Sequence, residues 1–195
     1  MSNILIVQAH PDASVPHYCH ALAKAYIEGA HLSDHEIRLI DLGKIDVPIL
    51  RSQVDWESED AVPRFVEKAQ TDIEWSDHIV FIYPLWMGSM PALLKAWLEQ
   101  VLRPDFAFNI VPNGKGWDAK LGGRSARVVI TMGMPALLYR WFFFSHSLRS
   151  FERNILKFGG VKPVRHSLIG MVESINPKPR ERWLGRMERL GKQGR

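Results

Sequence analysis

The sequence predicts an α/β fold: a five-stranded parallel sheet in a three-layer sandwich, with helices on both faces. Three observations predict it. Apolar runs of six or seven residues alternate with stretches of amphipathic, helix-like spacing. The length, 195 residues with 46% hydrophobic and 24% charged, suits one domain spanning 1–195 with a substantial core. The loops "AHPDASVPHY", "YPLWMGSMP" and "TMGMPALLY" each follow an apolar run, as ligand loops do at the carboxyl edge of such a sheet.

Taken in order, "NILIVQ" (Asn3–Gln8) reads as a strand buried on both faces. A helix follows from His17 to about Gly29, with Leu22, Ala25, Tyr26 and Gly29 at core spacing. "EIRLID" (Glu36–Asp41) alternates and is the second strand, and residues 42–62 read as a long polar loop. Pro63 opens a helix that runs to Trp75 with Val66, Ala69 and Ile73 on one stripe. "HIVFIY" (His78–Tyr83) is the third strand. "PALLKAWLEQVL" (Pro91–Leu102) is a helix whose apolar face includes Trp97. Residues 103–124 read as a second long loop, and "ARVVITM" (Ala126–Met132) as the fourth strand. An aromatic helix is expected over Tyr139–Phe158, closed by Gly159-Gly160. A fifth strand lies in "KPVRHSLIGM", and residues 177–193 form a basic amphipathic helix.

The net charge of +4 is uneven. From Pro177 to Arg195 there are seven Lys/Arg against two acids, while the remainder holds 18 basic and 19 acidic residues. The basic surplus is a solvated face of the last helix, so nucleic acid is not the expected partner. A weak membrane or transporter contact through this C-terminal helix is the alternative use of that charge. The single cysteine, Cys19, cannot form an internal disulfide and fits a reducing cytoplasm. No leader-like or membrane-spanning stretch is legible; "MPALLYRWFFF" is short and holds Arg140.

None of the three loops carries the glycines of a Walker A or G-x-G-x-x-G motif. In the first, Ser14 is suited to cap the helix and Pro16 to occupy its first position. Free N–H groups there make an anion site, with His10 and His17 as further donors. In the second, N–H groups near Leu85–Gly88 can meet the acceptor-rich edge of a planar heterocycle. Trp86 supplies a flat apolar wall, and Gly88 and Ser89 allow close backbone approach. Trp97, by contrast, is a core residue. In the third, Gly133 permits backbone approach. Tyr139 and His146 follow as proton or hydrogen-bond donors to a substrate that accumulates charge.

On these residues the chain resembles the flavodoxin-like NAD(P)H:quinone oxidoreductase family, which includes bacterial ancillary proteins of potassium efflux. The likeness is strongest over Asn3–Tyr18 and Tyr83–Arg103, and "FIYPLWMGSMPALLKAWLEQVL" is its most specific stretch. The resemblance implies a flavin, FMN or FAD, with NAD(P)H as co-substrate. His10, Ser14, Pro16, His17 and Tyr18 would hold the phosphate or pyrophosphate. Pro84, Leu85, Trp86, Met87 and Gly88 would hold the isoalloxazine, and Thr131, Met132 and Gly133 would line its other side. Tyr139 and His146 would be the substrate-side pair, the histidine after a one-residue shift. The implied reaction is ping-pong two-electron transfer to a quinone-like acceptor, in a homodimer with the site at the interface. Two departures stand out. Trp86-Met87 replaces the Gln-Trp or Trp-Trp of many relatives, and Thr131-Met132-Gly133-Met134 replaces Thr-Thr-Gly-Gly, leaving a more apolar pocket.

Two rival readings use other features. "AHPDAS" resembles the start of the Ala-His-Pro-Asp-Asp motif of zinc-dependent deacetylases, with His17, Cys19 and His20 nearby. Ala13, however, stands where that family has its general base. The other rival is a flavin-binding regulatory subunit of a transporter, acting through the basic tail.

Overall fold

The computed structural model describes residues 1–58, 62–111, 116–173 and 177–195. Strands β1 (Asn3–Gln8), β2 (Glu36–Asp41), β3 (His78–Pro84), β6 (Ser125–Thr131) and β7 (Val164–Ile169) form one parallel sheet in the order β2-β1-β3-β6-β7. This is the doubly wound, flavodoxin-like order: the chain builds outward on one side of β1, then crosses to the other.

Successive side chains of a strand point to opposite faces, so a run buried on both sides must be apolar throughout. Leu5, Val7, Ile79, Phe81, Tyr83, Val128 and Ile130 enter one core. They meet helices α3 (Arg64–Trp75) and α4 (Ala92–Val101) and the segment after β6. Ile4, Ile6, Val80, Ile82, Val129 and Ile169 enter the other core, under α1 (Tyr18–His31) and α7 (Pro177–Lys192). The expected three layers are present. Trp97 is fully buried in the first core.

Helix α7 is integral to the second layer. A Cβ on Gly29 would lie 2.0 Å from the Glu188 carbonyl oxygen, and one on Gly191 would lie 2.1 Å from the Tyr26 carbonyl oxygen. At each contact a glycine of one helix lets the backbone of the other approach it directly. Among the described residues no helix is long and apolar enough to cross a membrane.

Three expectations are corrected. The 42–62 stretch, of which 59–61 lie outside the described residues, is more ordered than its composition suggests. It holds a 3₁₀ turn (Leu42–Lys44) and a short helix, α2 (Gln53–Glu57). Buried Arg103 ties it down: its Nη1 donates to the carbonyls of Asp55 (2.8 Å), Trp56 (3.2 Å) and Ser58 (3.1 Å). Residues 103–124, apart from 112–115 outside the described set, contain an antiparallel hairpin. Its strands are β4 (Phe108–Ile110) and β5 (Trp117–Ala119), and Trp117 stacks on Phe158 at 4.6 Å. The aromatic helix is broken. Helix α5 (Ala136–Trp141) ends before Phe144 and Ser145, both at φ 50°, and α6 (His146–Ser150) then runs into a π-helical turn at Phe151–Leu156. Two consecutive residues in the left-handed region cannot continue a right-handed helix.

Trp97→Ala should cost about 3–5 kcal/mol of stability in urea unfolding, as large core truncations do. Gly191→Ala should cost about 1–3 kcal/mol, because overpacking must separate α1 from α7; an unchanged urea midpoint would contradict that backbone contact.

Candidate functional site

Because β1 lies between β2 and β3, the chain direction reverses beside β1, and the loops after β1, β3 and β6 leave the same sheet edge side by side. Between them is a cavity of about 260 Å³. His10, His17 and Tyr18 line it from the first loop, Pro84, Leu85 and Trp86 from the second, and Thr131, Met132 and Gly133 from the third. Cys19, Val172 and Glu173 complete the wall. A second, more apolar groove of about 550 Å³ begins on the other side of Trp86 and runs past Met87, Met90 and Lys95 to Ser147 and Ile155.

The first loop is held by one carboxylate. Asp12 Oδ1 accepts from the Ser14 backbone N–H (2.8 Å) and hydroxyl (2.5 Å), and Asp12 Oδ2 pairs with His17 Nε2 at 2.8 Å. The Ser14 hydroxyl, and after it His17, hold the Asp12 carboxyl well below the usual range. The rings of His10 and His17 stack at 3.7 Å, and His10 meets the edge of Trp86 at 5.8 Å. Burial first, and the neighbouring His17 second, lower the pKa of His10.

Ser14 is therefore no helix cap; its side chain belongs to Asp12. The cap position is His17, with Pro16 outside the helix, and His17 and His20 form a reciprocal capping box. Among the described residues the N–H groups of Tyr18 and Cys19 have no backbone partner, leaving the positive end of α1 open at the cavity wall. His20 instead accepts from the His17 N–H at 3.1 Å.

The second loop is a two-residue reverse turn. Trp86 and Ser89 exchange both backbone hydrogen bonds at 2.9 Å, and Met87 (φ 47°) and Gly88 (φ 77°) are both left-handed. This is the pattern of a type I′ turn, which Gly tolerates and Met does not favour. The Leu85 N–H is committed to the Thr131 carbonyl at 2.7 Å and the Trp86 N–H to Ser89. Of the donors expected at Leu85–Gly88, those of Met87 and Gly88 have no partner among the described residues. Trp86 is 47% exposed and Met87 wholly so.

Ser14, Pro16, Met87 and Gly88 lie outside the cavity wall; Met87 lines the neighbouring groove. Tyr139 and His146 are not brought to either cavity. Tyr139 is buried, with its hydroxyl 2.8 Å from Ser147 Oγ and accepting the Leu148 N–H at 3.1 Å. His146 is exposed, edge-on to Phe144 at 5.8 Å. Nor do His17, Cys19 and His20 form a zinc set. The Cys19 thiol is buried against Thr131 Oγ1 at 3.3 Å, burial pushes it up to about 11, and among the described residues no metal-holding group of three ligands occurs. Sequence reasoning missed Asp12, Cys19, Val172 and Glu173. Asp12 was detectable as the acid between two histidines of the first loop. Glu173 reaches the cavity only because β7 ends beside β6.

The chain is similar to several known proteins. It is 28% identical to an NAD(P)H oxidoreductase of Haemophilus influenzae over 92% of this chain and 89% of that one. It is 31% identical to the glutathione-regulated potassium-efflux system ancillary protein KefG of Salmonella paratyphi B, over 77% of this chain and 72% of that one. Its fold is that of an NAD(P)H:quinone oxidoreductase from Methanothermobacter marburgensis, with TM-score 0.82, 24% identity and coverage of 98% and 96%. It is also that of an FMN-dependent NADH-azoreductase from Bacillus anthracis, with TM-score 0.76, 17% identity and 99% coverage of each. Residues 2–190 match the family described by the flavodoxin-like fold, and with the loops placed as above the chain belongs to that family.

Proposed function

We propose that this protein is a flavin-dependent NAD(P)H:quinone oxidoreductase that works as a homodimer. The observation that carries the reading is the convergence of a helix end whose first N–H groups have no backbone partner, a histidine pair and an exposed tryptophan turn at one sheet edge. The donor set fits a flavin. The free N–H groups of Tyr18 and Cys19, with His10 and His17, suit a phosphate. The uncommitted N–H groups of Met87 and Gly88, beside the Trp86 indole, suit the acceptor edge and flat face of a ring system. A Cβ on Gly88 would meet nothing within 4 Å, so the turn has open space around it.

Bound flavin would supply the redox chemistry, taking a hydride from NAD(P)H and passing it, in a separate half-reaction, to a quinone-like acceptor. The chain's residues do the rest. His10, whose pKa burial and then His17 lower, orients the first loop by accepting the Asp12 N–H at 3.2 Å. Pro84 and Leu85 hold the second loop against Thr131; Thr131, Met132 and Gly133 form the opposite wall. Glu173, beside Gly133, is suited to accept from hydroxyl groups. Ser14 and Pro16 act by setting the loop that presents His17.

Leu137, Trp141, Phe142 and Phe144 are each more than half exposed in one eight-residue span, a cluster of exposed apolar side chains of the kind that marks an interaction surface. A second copy of the chain would cover them and bring His146 over the neighbouring cavity as the substrate-side donor. Tyr139 would serve that face by fixing α5 against α6. The likeness to KefG favours a second role, regulation of a transporter. The exposed side of α7, with Lys178 and Arg182, is the surface for it, since α7 itself cannot be removed without opening the core.

The protein should purify with about one flavin per chain. Trp86→Ala should shed it with little loss of stability, the reverse of Trp97→Ala; colourless protein whose melting is indifferent to FMN and FAD would refute the reading. Phe142→Asp with Trp141→Asp should convert a dimer to a monomer in analytical ultracentrifugation. His146→Ala should lower quinone turnover by about 10²–10⁴-fold, the usual contribution of a positioned acid–base group, at unchanged flavin content.

A further inference from the structure

The opposite edge of the sheet holds an arrangement that the redox reading does not use. The register of β6 and β7 sets Arg127 directly across from Arg165. Like charges facing each other across strands destabilise a sheet. Arg127 is only 5% exposed; its Nη1 donates to Ser167 Oγ at 3.0 Å, while its Nε is buried without a partner. Beside it in the same layer are two more unpartnered buried groups, the Tyr26 hydroxyl from α1 and His78 Nε2 from the start of β3. His78 uses its other nitrogen on Ser125 Oγ at 2.8 Å.

Arg186 in the body of α7 and Arg195 beyond its end lie, with Arg165, at the surface and repel the charge on Arg127. Among the described residues, none of the four arginines forms an ion pair with a carboxylate, and the acid nearest in sequence, Glu188, is taken by Lys192 at 2.7 Å. Arg195 Nε donates only to Gln193, and Arg186 lies over the Trp183 ring. A buried, unpaired cation is costly, and a cation facing another is costlier. Among the described residues, Arg127 Nε, the Tyr26 hydroxyl and His78 Nε2 are each a donor or can act as one. The missing partner is therefore an anion that only accepts.

We propose that Arg127, Arg165, Arg186 and Arg195 form a second ligand site, for a phosphate-like oxyanion, at the edge of the sheet opposite the redox cavity. Guanidinium groups bind tetrahedral oxyanions through paired N–H donors, and a doubly charged ligand can engage several at once. The ligand is either a free inorganic anion or the phosphate of a nucleotide. The site is independent of the flavin reading, because its residues enter from β6, β7, α7 and the segment after α7, at the amino-terminal end of the strands.

The test is thermal unfolding of the protein as purified, titrated with inorganic phosphate, with AMP, and with sodium chloride at matched ionic strength. Phosphate should raise Tm saturably and beyond chloride. If a nucleotide is the physiological source, AMP should reach half-effect at a concentration at least tenfold lower than phosphate. Arg165→Gln, an exposed change, should raise Tm in chloride by relieving the repulsion, and should abolish the phosphate response. His17→Ala should leave that response in place. A response equal to that of chloride, one that survives Arg165→Gln, or one lost in His17→Ala would overturn the proposal; the last would place the anion at the α1 end of the redox cavity instead.

Discussion

The pairing of β1 with β3 is the constraint on which the rest depends. Residues 74 apart in sequence are brought into register, from Ile4 against His78 to Gln8 against Ile82, and the Ala9 N–H extends the ladder to the Ile82 carbonyl at 2.8 Å. Parallel pairing of this kind needs a long crossover and rewards it only when both sheet faces are covered. Once it forms, the loops that begin at His10 and Leu85 must emerge as neighbours. The Leu85 N–H then reaches the Thr131 carbonyl, which brings in the third loop. The cavity is a consequence of this register.

Two kinds of local arrangement shape what the register brings together. In the first loop Asp12 gathers donors from Ser14 and His17, so an acidic residue closes a segment whose end is electropositive. In the second, a methionine is held in the left-handed region at the tip of a tight turn. Such backbone strain, of order 1–3 kcal/mol, persists when the surroundings determine it and is found at ligand clamps. The cost is carried by the flanking pair of Trp86–Ser89 hydrogen bonds and by helix α4 behind them.

The sheet also separates two electrostatic environments. At its carboxyl edge the Asp12 carboxylate is held by hydrogen bonds from within the chain, from Ser14 and His17, with helix α1 presenting its positive end. At its amino edge Arg127 and Arg165 face each other without a counter-charge among the described residues, and Arg186 and Arg195 add to the same sign. Parallel strands cannot move one end independently of the other, so whatever neutralises the amino edge also bears on the stability of the frame that holds the cavity.

The strands, the main helices and the loops that matter are legible in the residues alone, because each rests on a local signal. Six-residue runs such as Ile4–Ala9 must be buried on both faces, and a proline before "ALLKAW" opens a helix wherever the chain goes. Nine of the residues expected at the cofactor do line the cavity for the same reason: loop position follows from strand order. Tertiary structure decided what depends on distant partners. Arg103 orders a loop forty-five residues earlier, Phe144 and Ser145 break a helix that periodicity would have continued, and Ser14 is claimed by Asp12 instead of capping α1. It also turned Tyr139 inward onto Ser147 and left His146 in solvent, and it set Arg127 across from Arg165. Periodicity tells which side chains share a face; only the register between strands tells which of them must meet.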